Sequence, residues 1–202
     1  MPGLVQGLQQ RIINSMDIAL SLNNEEHELI RACVLRERWA QRELYERYYS
    51  PLMAVCLRYA KGDDQAMDIL HESFIKIFRN IGRYKPGTSL GAWMRRITIN
   101  TAIDYYRRNS RRRTETLEEA FQIGSDDPDA ISRCTEQEIL AAIQKLSPAY
   151  RTVFNLYVIE GYSHKEVANL LEITESTSRS NLVKARMKLR EILTERHYGG
   201  KG

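Results

Sequence analysis

The sequence predicts an all-α protein of two small helical bundles joined by an acidic linker. Apolar residues recur at three- and four-residue steps along most of the 202 residues, and no stretch keeps the period of two that a strand needs. Charge divides the chain as well, because residues 95–113 hold seven arginines and one acid, whereas residues 114–142 hold eight acids and one arginine. The acidic stretch contains Gly124-Ser125-Asp126-Asp127-Pro128, a composition typical of loops.

Three amphipathic helices are predicted in the N-terminal bundle. They are separated by the polar segments at residues 61–64 and 84–89, where Thr88 or Ser89 can cap the third helix. Their apolar stripes are Leu44, Tyr48, Leu52, Val55 and Tyr59; Ile69, Phe74, Ile77, Phe78 and Ile81; and Leu90, Trp93, Ile97 and Thr101.

One helix of the C-terminal bundle has clear start and stop signals. Ser147 is a good N-cap, Pro148 suits the first helical position, and Gly161 ends the segment. Its inward positions are predicted to be Val153, Phe154, Tyr157 and Val158.

A short helix, a tight turn and a longer basic helix follow. Ser163 and Glu166 form a capping box, Thr174 caps the last helix, and Glu172 occupies the turn where glycine is usual. This order predicts a helix-turn-helix, whose second helix enters the DNA major groove. Its early residues have side chains that hydrogen-bond to bases or phosphates, and basic residues follow. The DNA-binding candidates are Ser176, Thr177, Arg179, Ser180, Asn181, Lys184 and Arg186.

Arginines and aromatic residues alternate along the helix from about residue 90 to residue 109. This mixture suits single-stranded nucleic acid, because bases stack on rings and guanidinium groups hold the backbone. A solvated cationic surface with Trp93 in the core is the competing interpretation. The candidates are Arg95, Arg96, Asn100, Thr101, Asp104, Tyr105 and Arg108.

Composition excludes several classes of protein. The net charge is only +4, and Cys33, Cys56 and Cys134 have neither zinc-site nor disulfide-framework spacing. No apolar run spans a membrane and no signal peptide is evident, so we expect a cytoplasmic protein without membrane insertion. The four histidines, at positions 27, 71, 164 and 197, are scattered, and no phosphate-binding loop is found. We therefore expect no metal, no cofactor and no catalytic site.

Three segments together resemble a known family. The stretch from Asp68 to Phe74 (DILHESF), the stretch from Leu90 to Asp104 (LGAWMRRITINTAID) and the helix-turn-helix are similar to those of sigma-70 RNA polymerase sigma factors. The short form with regions 2 and 4 alone resembles the extracytoplasmic-function (ECF) group. The resemblance divides the chain into an extension (1–24), a region 2-like domain (25–113), an acidic linker (114–135), a region 4-like domain (136–196) and a tail (197–202).

The resemblance implies a transcription initiation factor that is not an enzyme. Its N-terminal domain would recognise and melt the minus-10 promoter element, and its C-terminal helix-turn-helix would read the minus-35 element. The expected partners are promoter DNA, the clamp coiled coil of the largest subunit of core RNA polymerase and an anti-sigma factor. The residues that match the polymerase-docking surface are Asp68, His71, Glu72, Phe74 and Phe78.

Two other functions compete with this interpretation. A stand-alone helix-turn-helix regulator would require a dimer surface and symmetric DNA half-sites, and no heptad seam is present. A DNA-processing enzyme would depend on Tyr105 or Tyr106 as nucleophile. For residues 1–24, a short amphipathic helix and an upstream stretch before a start at Met16 both remain open.

Overall fold

The computed structural model describes residues 25–85, 87–112 and 135–198. Within these ranges the chain forms eight α-helices and no strand, which confirms the all-α prediction. Residues 1–24, for which the two alternatives stay open, and nearly all of the acidic linker lie outside the described residues.

Four helices form the N-terminal bundle. They are α1 (residues 25–34), α2 (Arg38–Tyr59), α3 (Asp63–Asn80) and α4 (Leu90–Arg112), with a 3-10 turn at Ile81–Arg83 after α3. Helices α2, α3 and α4 pack pairwise around a core of their buried apolar residues. Two core hydroxyls, those of Ser73 and Thr98, donate to carbonyls one helical turn earlier, which satisfies them without a partner from another helix.

Four further helices form the C-terminal bundle. They are α5 (Glu136–Lys145), α6 (Pro148–Phe154), α7 (His164–Leu171) and α8 (Glu175–Tyr198), and α6 continues into a π-helical turn at Asn155–Ile159. Helix α8 packs against α5, α6 and α7. The first turn of α5 is held by a second capping box, between Thr135 and Glu138.

The two bundles lie directly against each other. Helices α5 and α6 contact α2, and helices α6 and α7 contact α4. Buried Val153 and Leu156 of α6 and the following turn join the same apolar cluster as the N-terminal core. The site residues are therefore presented by one closed, two-bundle arrangement.

Candidate nucleic-acid and polymerase interfaces

Local hydrogen bonds fix the geometry of the helix-turn-helix. Ser163 accepts from the Glu166 amide, and the Glu166 carboxylate accepts from the Ser163 amide at 2.8 Å, so the predicted capping box is confirmed. Glu172 adopts a left-handed conformation with φ of 58°, and Thr174 accepts from the Thr177 amide at 3.0 Å. The backbone therefore makes the turn that glycine usually makes, with glutamate at the strained position.

A histidine ties the two helices of the motif together. The Nδ1 atom of His164 lies 2.9 Å from the hydroxyl of buried Ser178 on α8, and its ring stacks on Tyr157 with centroids 4.3 Å apart. Burial, followed by the Arg179 charge, lowers the pKa of His164. Because the neutral imidazole is favoured, this contact fixes the angle between α7 and α8 without adding a charge beside the recognition helix.

The first turns of α8 are open to solvent at the predicted minus-35 residues. Asn181 and Lys184 are half-buried, whereas the other five are exposed: Ser176, Thr177, Arg179, Ser180 and Arg186. Arg179 pairs with Glu175 at 3.1 Å, with both side chains largely exposed. Such a pair contributes little to stability, so the guanidinium is available to exchange partners.

Helix α4 presents most, though not all, of the predicted minus-10 residues at its surface. Arg96, Asn100 and Arg108 are exposed, and Arg95, Asp104 and Tyr105 are half-buried. Thr101 is different: it is fully buried and donates its hydroxyl to the Ile97 carbonyl at 2.9 Å. The helix turns Thr101 into the core beside Thr98 and Ala102, so the DNA contact predicted for its side chain is corrected to a packing role.

Several polar residues of α4 are engaged in contacts within the protein. Arg108 makes a bidentate pair with Glu72 of α3 at 2.6 and 3.1 Å, and Asp104 binds Lys76 at 2.9 Å. The Arg108 guanidinium also lies 5.9 Å from the centre of the Tyr105 ring. Hydrogen bonding from Arg108 lowers the pKa of Glu72.

The predicted polymerase-docking surface runs along α3. Asp68 and His71 are exposed, and Glu72 and Phe78 are half-buried. Phe74 is only 3% exposed and packs on Tyr45 with ring centroids 4.6 Å apart. The contact predicted for Phe74 is therefore corrected to a core role: it supports the surface from below.

Sequence reasoning missed a group of polar residues on α6 and the turn that follows it. Arg151 and Asn155 are buried, and the Glu160 side chain is 6% exposed between Arg58 and Arg95. The sequence offers one signal for them. Asn155 comes four residues after Arg151, and Glu160 comes five residues after Asn155, in a segment whose other residues on the same side are apolar.

Metal-ligand clusters and membrane-spanning helices are both absent from the described residues. No group of three or more histidine, cysteine or acidic side chains there could hold a metal ion. None of the described helices has the length and apolar content needed to cross a membrane.

Comparison with known proteins matches both bundles. The Sigma-70 region 2 family model matches residues 44–112, and the Sigma-70, region 4 model matches residues 136–189. SigE, an ECF RNA polymerase sigma factor of Mycolicibacterium smegmatis, is 31% identical over 76% of this chain, which spans 61% of the length of SigE. CarQ, an RNA polymerase sigma factor of Myxococcus xanthus, is 31% identical over 76% of this chain and 88% of CarQ.

Solved structures that are similar to this chain include two complexes. One is RpoE of Bartonella quintana with the anti-sigma factor NepR, at 21% identity and a TM-score of 0.44 over 76% of this chain and 96% of that chain. The other is CnrH with the cytosolic domain of CnrY, at 21% identity and a TM-score of 0.41 over 82% and 95%.

Fold and surfaces define a two-domain helical transcription factor with a C-terminal helix-turn-helix. Both sigma regions are matched in order along the chain, together with relatives that are ECF sigma factors. The chain belongs to the sigma-70 family, within its ECF group, and it is a sigma factor that directs RNA polymerase to promoters. The alternative of a stand-alone regulator is not favoured.

Proposed function

We propose that the two bundles divide promoter recognition between them. The C-terminal domain reads the minus-35 element through the first turns of α8, and the N-terminal domain captures the opened minus-10 element along α4. The observation that carries this division is the exposure of the first turns of α8 at the end of a fully capped helix-turn-helix. Recognition helices of this motif contact base edges with their N-terminal residues.

The proposed minus-35 surface combines base-reading and phosphate-binding side chains. Arg179 stands one turn into α8 with a 63% exposed side chain, which suits bidentate contact with a guanine. The other members of this surface are Ser176, Thr177, Ser180, Asn181, Lys184 and Arg186.

The proposed minus-10 surface is the exposed side of α4. Arg95, Arg96 and Arg108 supply phosphate contacts, Asn100 offers an amide to an unstacked base, and Tyr105 offers a ring for stacking. Asp104 orients this surface through its 2.9 Å pair with Lys76. Opening the duplex costs a few kcal/mol per unstacked step, which binding to the polymerase and base capture offset together.

The proposed polymerase contact is the exposed edge of α3, at Asp68, His71, Glu72 and Phe78. An anti-sigma factor is a further proposed partner, as implied by the family. We place the protein in the cytoplasm, where both polymerase and promoter DNA are found. The domain boundaries at residues 25–113 and 136–196 are part of the same proposal.

Promoter-specific run-off transcription tests the division of roles. Core polymerase lacking any sigma factor is mixed with the protein and genomic fragments from its source, and new defined transcripts identify the promoters. Arg179→Ala is expected to lower transcription through loss of minus-35 selectivity while binding to core polymerase is retained. Arg42→Ala, at an 80% exposed arginine of α2, is the matched control. Loss of polymerase binding by the Arg179 variant would contradict the assignment.

The polymerase surface needs a variant that leaves α4 intact. Charge reversal at Glu72 would place a third cation beside Arg108 and Lys76, so it would disturb both surfaces. Asp68→Lys changes an exposed residue of the same helix face. It is expected to weaken co-elution with core polymerase on gel filtration, whereas binding of the free protein to isolated minus-35 duplex should be unchanged. Unaltered co-elution would remove Asp68 from the contact.

A further inference from the structure

The first two turns of α8 are attached to the rest of the domain at a single buried residue. Among residues 175–181, which form these turns, Ser178 alone is buried, and its exposure is 0%. Asn181 is half-buried and the other five residues are exposed. The next buried residue along the helix is Leu182. The placement of the exposed side chains in these turns therefore depends on how Ser178 is held.

The Ser178 hydroxyl is held by the imidazole of His164. Nδ1 of His164 lies 2.9 Å from Oγ of Ser178. A buried hydroxyl that loses such a partner keeps the cost of its desolvation, so the contact is maintained in the folded domain. A hydrogen bond also has a preferred direction, whereas apolar packing such as that of Leu182 has none. The pair therefore sets the rotation of α8 about its own axis.

His164 is itself fixed from two sides. It is the first residue of α7 and follows the N-cap Ser163, whose amide donates to the Glu166 carboxylate at 2.8 Å. Its ring stacks on that of Tyr157, with centroids 4.3 Å apart and planes inclined by 23°. Tyr157 belongs to the π-helical turn at Asn155–Ile159. The imidazole thus connects three consecutive elements: the π-helical turn, α7 and α8.

A small rotation of α8 displaces the side chains on its outer face. Side chains end about 5–6 Å from the axis of an α-helix, so a rotation of about 10° moves their ends by about 1 Å. Binding groups lose their productive geometry beyond about 0.5 Å or 10–20°. Arg179 and Ser180 directly follow Ser178 and rotate with it. A contact buried behind the reading surface can therefore decide whether these side chains meet base edges.

We propose that His164 is a positioning residue for minus-35 recognition. Through Ser178 it sets the rotation of α8, and thereby the selectivity of the exposed side chains of α8 for their bases. This inference rests on the proposed function, because it takes the first turns of α8 to be the minus-35 reader. Contacts to phosphates carry no sequence information, so the effect of His164 falls on the ratio between matched and mismatched DNA.

The test measures selectivity in the holoenzyme. Core polymerase carrying the full-length protein is bound to two fluorescent promoter duplexes from the run-off experiment, one with its native minus-35 element and one with transversions in that element. The readout is the ratio of the two dissociation constants, at a temperature at which far-UV circular dichroism shows every variant to be folded. A bidentate base contact gives roughly 5-fold to 150-fold discrimination, so its misplacement should lower the ratio by at least about fivefold.

Three variants remove the hydrogen bond from either side. His164→Phe keeps a ring on Tyr157 but loses the hydrogen bond, and Ser178→Ala removes the other partner. Each is expected to lower the ratio. The double variant that carries both changes should lose no more than one single variant, because the two substitutions remove the same interaction.

Two further variants provide a rescue and a control. His164→Asn loses the ring but places an amide group at the position of Nδ1, within reach of Ser178, so it should restore most of the ratio. Asn169→Gln changes an exposed residue of the same helix and should leave the ratio unchanged. A residue that only stabilised the fold would move the urea midpoint of each variant and leave the ratio of the folded protein as it is.

The outcomes separate failure of the positioning role from failure of the proposed function. An unchanged ratio in His164→Phe and Ser178→Ala overturns the positioning role, and so do additive losses in the double variant or a loss in His164→Asn as large as in His164→Phe. Wild-type selectivity in Arg179→Ala would instead refute the base contact proposed for Arg179, while a reduced ratio in His164→Phe would still support positioning. A wild-type holoenzyme that did not distinguish the two duplexes would overturn both.

Discussion

Replacement of Arg151 by methionine should lower the free energy of unfolding by about 4 kcal/mol. The side chain is 3% exposed and donates to four carbonyls, those of Ile143, Gln144, Leu146 and Tyr59, at 2.6 to 3.3 Å. A buried acceptor that loses its partner costs about 1–3 kcal/mol. Four acceptors at the lower limit of about 1 kcal/mol each give the total of about 4 kcal/mol. The lower limit is used because not every acceptor is left bare: the Ile143 carbonyl also keeps a backbone donor. Burial lowers the pKa of Arg151 to about 10, so its charge is retained at neutral pH.

Urea unfolding followed by far-UV circular dichroism measures this loss. With a slope of about 2 kcal/mol per molar urea, the midpoint should fall by roughly 2 M. Arg151→Lys keeps the charge but cannot reach four carbonyls, so it should show an intermediate loss. Arg42→Met, at an exposed arginine, should stay within about 0.5 kcal/mol of the parent. A loss below about 1 kcal/mol for Arg151→Met would refute the view that these bonds join helix ends.

Three other predictions concern the motif and the thiols. Ser163→Ala removes the N-cap of α7 and should lower the unfolding free energy by about 1 kcal/mol, whereas Ser163→Thr should restore most of it; an equal loss in both would contradict the capping role. Glu172→Gly relieves the strain of a left-handed backbone, and the greater backbone entropy of glycine in the unfolded chain offsets part of this gain. The free energy of unfolding should therefore rise by about 0.5 kcal/mol, and a decrease in the urea midpoint would refute this. Burial raises the pKa of Cys33 to about 11 and that of Cys56 to about 12. At pH 8 both thiols should therefore react with a thiol reagent only after the protein is unfolded, which peptide mass spectrometry would show. Rapid labelling of either cysteine in the native protein would contradict their burial.

Local sequence signals predicted the elements of the fold well. The capping box at Ser163, the N-cap at Ser147 and the strained turn at Glu172 are all present, because each is decided by side chains within four residues of the backbone they satisfy. Trp93, expected in the core, packs half-buried on Tyr84 with ring centroids 5.6 Å apart.

Periodicity was less reliable where the helix geometry departs from 3.6 residues per turn. Val158 was predicted to face inward but is 45% exposed, because the π-helical turn at Asn155–Ile159 shifts the register of every later residue. Thr101 was assigned to a surface from the arginine and aromatic pattern of its helix and Phe74 from the family resemblance, yet both lie on the core positions that their apolar stripes predict. For Thr101, the polar side chain gave no indication of burial. Its hydroxyl can be buried because it donates to a carbonyl of its own helix.

The interdomain contacts could not be predicted from the sequence. Glu160 is 65 residues from Arg95, and Arg151 is 92 residues from Tyr59. Pairs at such separations are set by how two preformed bundles fit together, and the apolar pattern of each bundle does not specify the orientation of the other.

The bidentate pair between Glu72 and Arg108 would link polymerase binding thermodynamically to DNA binding at the two proposed surfaces. One carboxylate on the proposed docking edge and one guanidinium on the proposed DNA surface share the same two hydrogen bonds. A partner that engages Glu72 lowers the work needed to transfer Arg108 to a phosphate, and DNA that engages Arg108 favours docking by the same free energy. Assembly order would then leave the final affinity unchanged, while each intermediate binds its next partner more tightly than the free protein does.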